Sequence, residues 1–534
     1  MAQMAGVKSS RERAAQVPLP PTRGFMLFCG TTGKIVSGET PGVATSITIP
    51  LWFALLAGAL AAVALIDRLF APAVRWWLRR RVNRAIDELN QRLKLKIPPF
   101  KLARRRQLIE QLMFDPEVLK AVEDEAKARE EPKSVAHARA RRYAKEIIPA
   151  FSAYTYFRVG AALAKKLSTS LYRVRLGAFD EEALYQVPAD ASVVFVINHR
   201  SNMDYVLVTY LVSESSALSY AVGEWARVWA LQSLIRAMGG YFVRRDSSNP
   251  LYRKVLARYV HMATTSGVAQ AVFPEGGLTR DGSLRPPKLG LLSYMVSGFD
   301  PNGPRDIVFV PVGLNYDRVL EDRILTAAAA TPKGERPRFA FNPMVLSAFL
   351  LRSLWLRLKG AWHRYGYACV SFGRPFSLRA YVAERGIDFR SLPEQQRFGE
   401  IERLGQHLMG EVGRVVPALP VSLVASAVLG AGERGLSSLE LKGSVFALMR
   451  QLQATGAHVH IPRQDQEYAV EVGLRMLLMR HLVEARDGTY RANPEETALL
   501  AFYANAIAHL LPAAGVGMAY AADVDAVPAA RPAR

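Results

Sequence analysis

Four strings in this chain carry side chains that could do chemistry. In Asn198-His199-Arg200-Ser201-Asn202-Met203-Asp204 an aspartate follows a histidine by five positions. A carboxylate that accepts from Nδ1 fixes the imidazole tautomer, leaves Nε2 able to take a proton, and balances the imidazolium that results. On a regular helix, side chains five apart point about 140° away from one another, so His199 must stand on a turn ahead of the helix for Asp204 to reach it. A satisfied histidine beside a helix-capping aspartate fits the same string. The second string, Gly239 to Arg245, reads GGYFVRR and ends in Arg244 and Arg245, whose guanidinium groups suit bidentate binding of phosphate. A solvated strand end fits it too.

The third string runs from Val272 to Tyr294, where Pro274-Glu275-Gly276-Gly277 ends an apolar run and Arg280, Arg285 and Lys288 follow. Glycines let backbone amides approach a ligand, and a carboxylate with several cations is costly for a turn that is only structural. The bland alternative is a glycine turn with surface charges. In the fourth, VFVPVGLNYDRVLED from Val308 to Asp322, Pro311 interrupts a very apolar run. Proline is disfavoured inside central strands, so Pro311 predicts a strand end or a surface that guides an apolar substrate.

The elements around these strings predict an α/β fold. Between about 172 and 380, β-rich runs (LYRVRLG, VVFVIN, LSYAVG, GYFVRR, QAVFPE, IVFVPVGL and YACVSFG) alternate with helical stretches, the pattern of a mostly parallel sheet. Functional residues of such sheets gather where strands end at their carboxyl edge. The expected organisation is an irregular tail over 1–45, a membrane segment with a basic interfacial anchor over 46–83, and a helical region over 84–171. A catalytic α/β domain over 172–394, a second helical region over 395–512 and a disordered tail over 513–534 follow. Asp115-Pro116 is expected to cap a helix in the first helical region.

Composition narrows the partners. With 69 Lys plus Arg against 47 Asp plus Glu, the chain suits nucleic acid, an anionic membrane surface, or acidic and phosphorylated partners. Half the residues are hydrophobic, which excludes a disordered or fibrous chain. Two cysteines, Cys29 and Cys369, are too few for a disulfide scaffold or a cysteine-based zinc site. From Ile47 to Ile66 there is no charged residue, and Trp76, Trp77 and Arg79 to Arg81 follow. About twenty apolar residues are the length of a transmembrane helix, and the arginines place the C-terminal side in the cytoplasm. His458 and His460 read as structural.

Taken together and in this order, the four strings resemble the glycerolipid acyltransferases, most closely glycerol-3-phosphate 1-O-acyltransferases of the bacterial PlsB type and their relatives that acylate dihydroxyacetone phosphate. The segments EPKSVAHARARRYAKEIIPAFSAYTYFRV, VSFGRPFSL and GTYRANPEETALLAFYANAIAHLL extend the resemblance over most of 100–512. The resemblance implies His199 as general base and Asp204 as the carboxylate that orients it. It implies Arg200, Arg244, Arg245, Glu275, Gly276, Gly277, Arg280 and Lys288 at the substrate. It implies glycerol 3-phosphate as acceptor, acyl-CoA or acyl carrier protein as donor, no cofactor, metal or acyl-enzyme, and a site on the cytoplasmic face of the inner membrane, against anionic lipids. One position departs from the pattern: Leu278 stands where the family usually has an arginine after Glu-Gly-Gly, which bears on the acceptor. A competing expectation, a membrane-tethered nucleic-acid-binding protein, rests on residues 436–494, which could form two helices and a β-wing.

Overall fold

The computed structural model describes residue 88 and residues 93–223, 229–244, 248–331 and 364–511. The apolar run at 47–66, the basic cluster after it and Arg245 lie outside the described residues. All seven expected β runs form strands: β1 Arg173–Phe179, β2 Ser192–Ile197, β3 Ser219–Val222, β4 Tyr241–Phe242, β5 Gln270–Val272, β6 Ile307–Tyr316 and β7 Tyr367–Phe372. An eighth, β8 Phe376–Ser377, falls within the segment VSFGRPFSL, which the structure divides between β7 and β8. The sheet order is β1-β7-β6-β2-β5-β3-β4 with β8 also on β6. From β6 to β4 every neighbour is parallel, while β7 and β8 run antiparallel to β6.

The apolar runs have no polar alternation because both sheet faces are covered. Along β2, Val193, Phe195 and Ile197 pack into one core with helices Met203–Val212, Pro420–Ala431 and Thr497–Ala508. Val194 and Val196 pack into the other, with helices Arg105–Met113, Lys133–Ile147, Pro250–Thr265 and Glu394–Arg414. Each such buried side chain stabilises the fold by about 1.5–3 kcal/mol relative to exposure. Asp115 caps helix Pro116–Ala128, accepting from the backbone of Glu117 at 3.0 Å, and also binds Arg258 at 2.7 Å. That second bond ties the N-terminal helices to helix Pro250–Thr265, which packs on the sheet.

Pro311 does not end a strand: β6 passes through it, and all ten of its residues are buried. On one side of β6, β8 pairs at Val308 and Phe309 and β7 pairs from Val312 onward, so Pro311 falls at the junction between them. Its missing N–H therefore leaves no rung unmade there, while its carbonyl accepts from Gly373 at 2.8 Å. Nor is Pro311 among the residues that line the cavity into which the β2 carboxyl end opens.

The C-terminal region is not helical throughout. Helices Ser438–Ala454 and Gln466–Met479 are followed by an antiparallel pair, Val483–Arg486 and Thr489–Ala492, whose second strand also pairs Leu436–Ser437. This is the expected arrangement of two helices and a wing.

Candidate active site

The chain leaves β2 at Ile197 and is fixed at once. Asn198 donates through Nδ2 to the Leu314 carbonyl at 2.9 Å and accepts the Leu314 N–H at 2.8 Å, continuing the β2–β6 ladder with a side chain. His199 follows on the turn, and the helix begins at Met203. Asp204, in its first turn, accepts at Oδ2 from His199 Nδ1 at 2.9 Å and from the backbone N–H groups of Arg200 at 2.7 Å and Ser201 at 3.0 Å. Its Oδ1 accepts from the Tyr316 hydroxyl at 2.7 Å. A carboxylate only accepts, so the imidazole proton sits on Nδ1 and Nε2 keeps its lone pair. Both side chains are buried, His199 at 2% and Asp204 at 0% exposure. The imidazole packs against Phe273 and Tyr205, with ring centroids 4.4 and 5.4 Å away.

Behind the histidine, Glu275 accepts the His199 N–H at Oε1, 2.8 Å away, and the His199 carbonyl accepts from Thr279 at 3.1 Å. Burial pushes the Glu275 carboxyl up to about 7, against the pull of the His199 N–H and the Arg200 guanidinium. Between its ordinary value of 4.5 and about 7, the folded chain holds a proton that the unfolded chain has lost. Stability contributed by this group therefore falls as pH rises across that window and levels off above it. Asp317, buried and also raised to about 7, acts in the same direction. Urea titrations from pH 5 to 8 should show this loss, and Glu275→Gln should make it shallower; an unchanged slope in the variant would refute the assignment.

Gly276 has φ +66°, and a Cβ there would lie 2.6 Å from Cδ of Lys288, so only glycine lets the lysine fold across the turn. Beyond lies a cavity of about 870 Å³. Its wall carries His199, Asn202, Arg280, Arg285 and Lys288 together with Val222, Val243, Val272, Leu291, Leu292 and Leu408. Gly276, Gly277 and Leu278 line it too. The structure thus brings His199, Gly276, Gly277, Arg280 and Lys288 around one space, with Asp204 and Glu275 supporting the histidine from outside it.

Two expected substrate contacts are placed elsewhere. Arg244 forms a fork with Glu146, Nε to Oε1 at 2.9 Å and Nη2 to Oε2 at 2.6 Å, between the rings of Tyr143 and Tyr252. Its phosphate-binding geometry is already taken up by a carboxylate, and only its neighbour Val243 lines the cavity. Arg200 turns away from the cavity, donating to the carbonyl of Gly282 at 2.7 Å and of Phe502 at 3.5 Å, with its guanidinium over the Phe502 ring. That contact needs Gly282, where φ is +85° and a Cβ would lie 1.8 Å from the Phe502 oxygen.

Two further residues escaped the sequence reading. Tyr316 holds the second oxygen of Asp204, and Glu321 caps helix Met203–Val212, accepting from Ser201 Oγ at 2.7 Å and Asn202 Nδ2 at 3.1 Å. Both lie in the fourth string. Strand alternation places Leu314 and Tyr316 on the same face of β6 as Val312, beside Ile197, and so within reach of the residues that follow it.

Two family models match the chain. Residues 180–315 match the Acyltransferase model, and residues 353–522 match the glycerol-3-phosphate acyltransferase C-terminal region. Both matches are to acyltransferases, the second to a region characteristic of glycerol-3-phosphate acyltransferases. The glycerol-3-phosphate acyltransferase of Pseudomonas entomophila is 27% identical over 430 residues, 78% of this chain and 50% of that protein. That of Aeromonas hydrophila is 27% identical over 77% of this chain and 50% of its own length. The chain spans about half the length of the curated relatives it matches. The crystal structure of the 1-acyl-sn-glycerophosphate (LPA) acyltransferase PlsC from Thermotoga maritima aligns with 48% of this chain and 79% of that one at 19% identity. Its TM-score of 0.28 is too low to bear on fold or function.

Proposed function

We propose that the chain transfers a fatty acyl group from acyl-CoA or acyl carrier protein to the sn-1 hydroxyl of glycerol 3-phosphate, giving lysophosphatidate. The observation that carries this reading is the His199–Asp204 pair, with Nδ1 engaged and His199 on the wall of a cavity lined by cations and aliphatic side chains. Nε2 takes the hydroxyl proton, the oxygen attacks the thioester carbon, the C–S bond breaks, and the imidazolium returns the proton to the departing thiolate. Donor and acceptor supply every atom in this step, so it balances without a cofactor or an acyl-enzyme. Arg280, Arg285 and Lys288 are the groups that would face the acceptor phosphate, and the aliphatic side chains of the same wall would take the acyl chain.

Leu278 on that wall bears on the choice of acceptor. The test is turnover of glycerol 3-phosphate, dihydroxyacetone phosphate and lysophosphatidate with one labelled acyl donor; no turnover of the first would overturn the reading. Leu278→Arg should lower the KM for glycerol 3-phosphate roughly tenfold with little change in kcat, since a charge-assisted hydrogen bond contributes about 1.5–3 kcal/mol. An unchanged KM in steady-state kinetics would show that position 278 does not face the phosphate.

We place the reaction at the cytoplasmic face of an inner membrane, on anionic lipid, from the basic balance of the chain and the apolar run at 47–66. Among the described residues no helix is long and apolar enough to cross a membrane. The wing weighs little toward nucleic acid: helix Gln466–Met479 exposes Glu467 and Glu471 against one arginine, Arg475, a net negative balance where phosphate contact needs cations.

A further inference from the structure

We propose that the helical segment from Tyr154 to Leu171 is a docking face for an anionic lipid surface, distinct from the apolar run at 47–66. The inference rests on the acyl-transfer reading only in that a lysolipid product needs a bilayer to enter. The segment opens with one π-helical turn, Thr155–Gly160, and continues as helix Ala161–Leu171. Tyr156, Gly160, Ala164, Ser168 and Leu171 face inward and are buried. Gly160 permits this close seat, since a Cβ there would lie 2.7 Å from the Met238 methyl carbon.

The outward residues are unusual for a solvent-facing helix. Tyr154 is 73% exposed, Val159 44% and Leu163 41%, and the exposed residues among them include Arg158, Lys165 and Lys166. Between Glu146 and Asp180 the sequence has no acidic residue, so no carboxylate of the segment offsets these cations. Aliphatic and aromatic side chains interspersed with uncompensated cations are the composition of an interfacial helix, in which lysine stems lie along apolar surface while their heads reach lipid phosphates. Nucleic acid would make no use of the aliphatic side chains. The face also touches the helix that carries Asp204, at its far end. The Lys165 ammonium lies 5.9 Å from the ring centroid of Tyr210, on the helix Met203–Val212 that carries Asp204 in its first turn.

The test uses the full chain with Cys29→Ser, Cys369 being buried, and an environment-sensitive fluorophore on Leu163→Cys. Vesicles containing phosphatidylglycerol should shift the probe emission to the blue and let nitroxide lipids quench it. Phosphatidylcholine vesicles should do neither, Lys165→Glu with Lys166→Glu should abolish the response, and a probe at the exposed Leu439 should stay silent. A silent probe at 163 on a chain that still sediments with the vesicles would overturn the proposal, since another segment would then carry the binding. A response to acidic carrier protein and not to vesicles would overturn it in favour of a protein partner. Acyl transfer by the unsubstituted chain in detergent separates the two readings: no turnover there counts against the proposed reaction and leaves the lipid result to stand alone.

Discussion

Replacing His199 with alanine is expected to lower kcat/KM for acyl transfer by roughly 10³-fold or more, with the fold retained. A positioned general base contributes roughly 10²–10⁴-fold, and nothing else on the described cavity wall has a free lone pair held by a buried carboxylate. The fold should survive because Asp204, once it loses the Nδ1 bond, still accepts from the N–H groups of Arg200 and Ser201 and from the Tyr316 hydroxyl. The imidazole space opens onto an existing cavity, so the buried void that makes many large-to-small changes costly does not arise. Single-turnover assays with a labelled thioester, beside a thermal melt, make the check. Activity within tenfold of wild type in a folded variant would remove His199 from the mechanism.

The second large effect is expected from Asp204→Asn, which separates charge from shape. The amide oxygen can occupy the Oδ2 position and keep its three donors, while the amide nitrogen faces the Tyr316 hydroxyl, which can turn and accept. Sterics and donor count are thus preserved, and what is lost is the negative charge that balances the imidazolium. A loss of roughly 10²–10⁴ in kcat, with KM for the acceptor little changed, is the signature of a group that acts mainly as charge develops. If Asp204 only capped the helix, the asparagine variant would keep its rate, because asparagine is as good a cap. Equal rates for the two proteins would therefore favour the capping reading.

Local signals in the sequence were enough for the frame of this site. The apolar runs gave seven strands because both faces of the sheet are covered, and the spacing of His199 and Asp204 required the turn that the structure has between Ile197 and Met203. What could not be read depends on partners far along the chain. Arg244 looked available for phosphate because Glu146, its partner, lies 98 residues upstream. Arg200 looked like a site residue because Gly282 and Phe502, which hold it, lie 82 and 302 residues downstream. Pro311 misled for a related reason: whether a strand can spare an N–H depends on where its neighbours stop, here at the junction of β7 and β8. The roles of Tyr316 and Glu321 were hidden because their chemistry is exerted entirely through Asp204 and the helix it begins.

The clasp between Arg200 and the carbonyl of Phe502 also sets a timetable. Those two residues are separated by 302 positions, so at roughly 5–20 residues per second a ribosome needs about 15–60 s after making the histidine turn before it makes the helix that closes over it. During that interval Arg200 has no Phe502 carbonyl to meet, and the buried seat beside Gly282 stays open to water. The nascent α/β layer would therefore hold its His199–Asp204 pair early and complete the surroundings of that pair late. Premature termination anywhere before helix Thr497–Ala508 would leave a chain with its acid–base pair written in full and its active site unfinished.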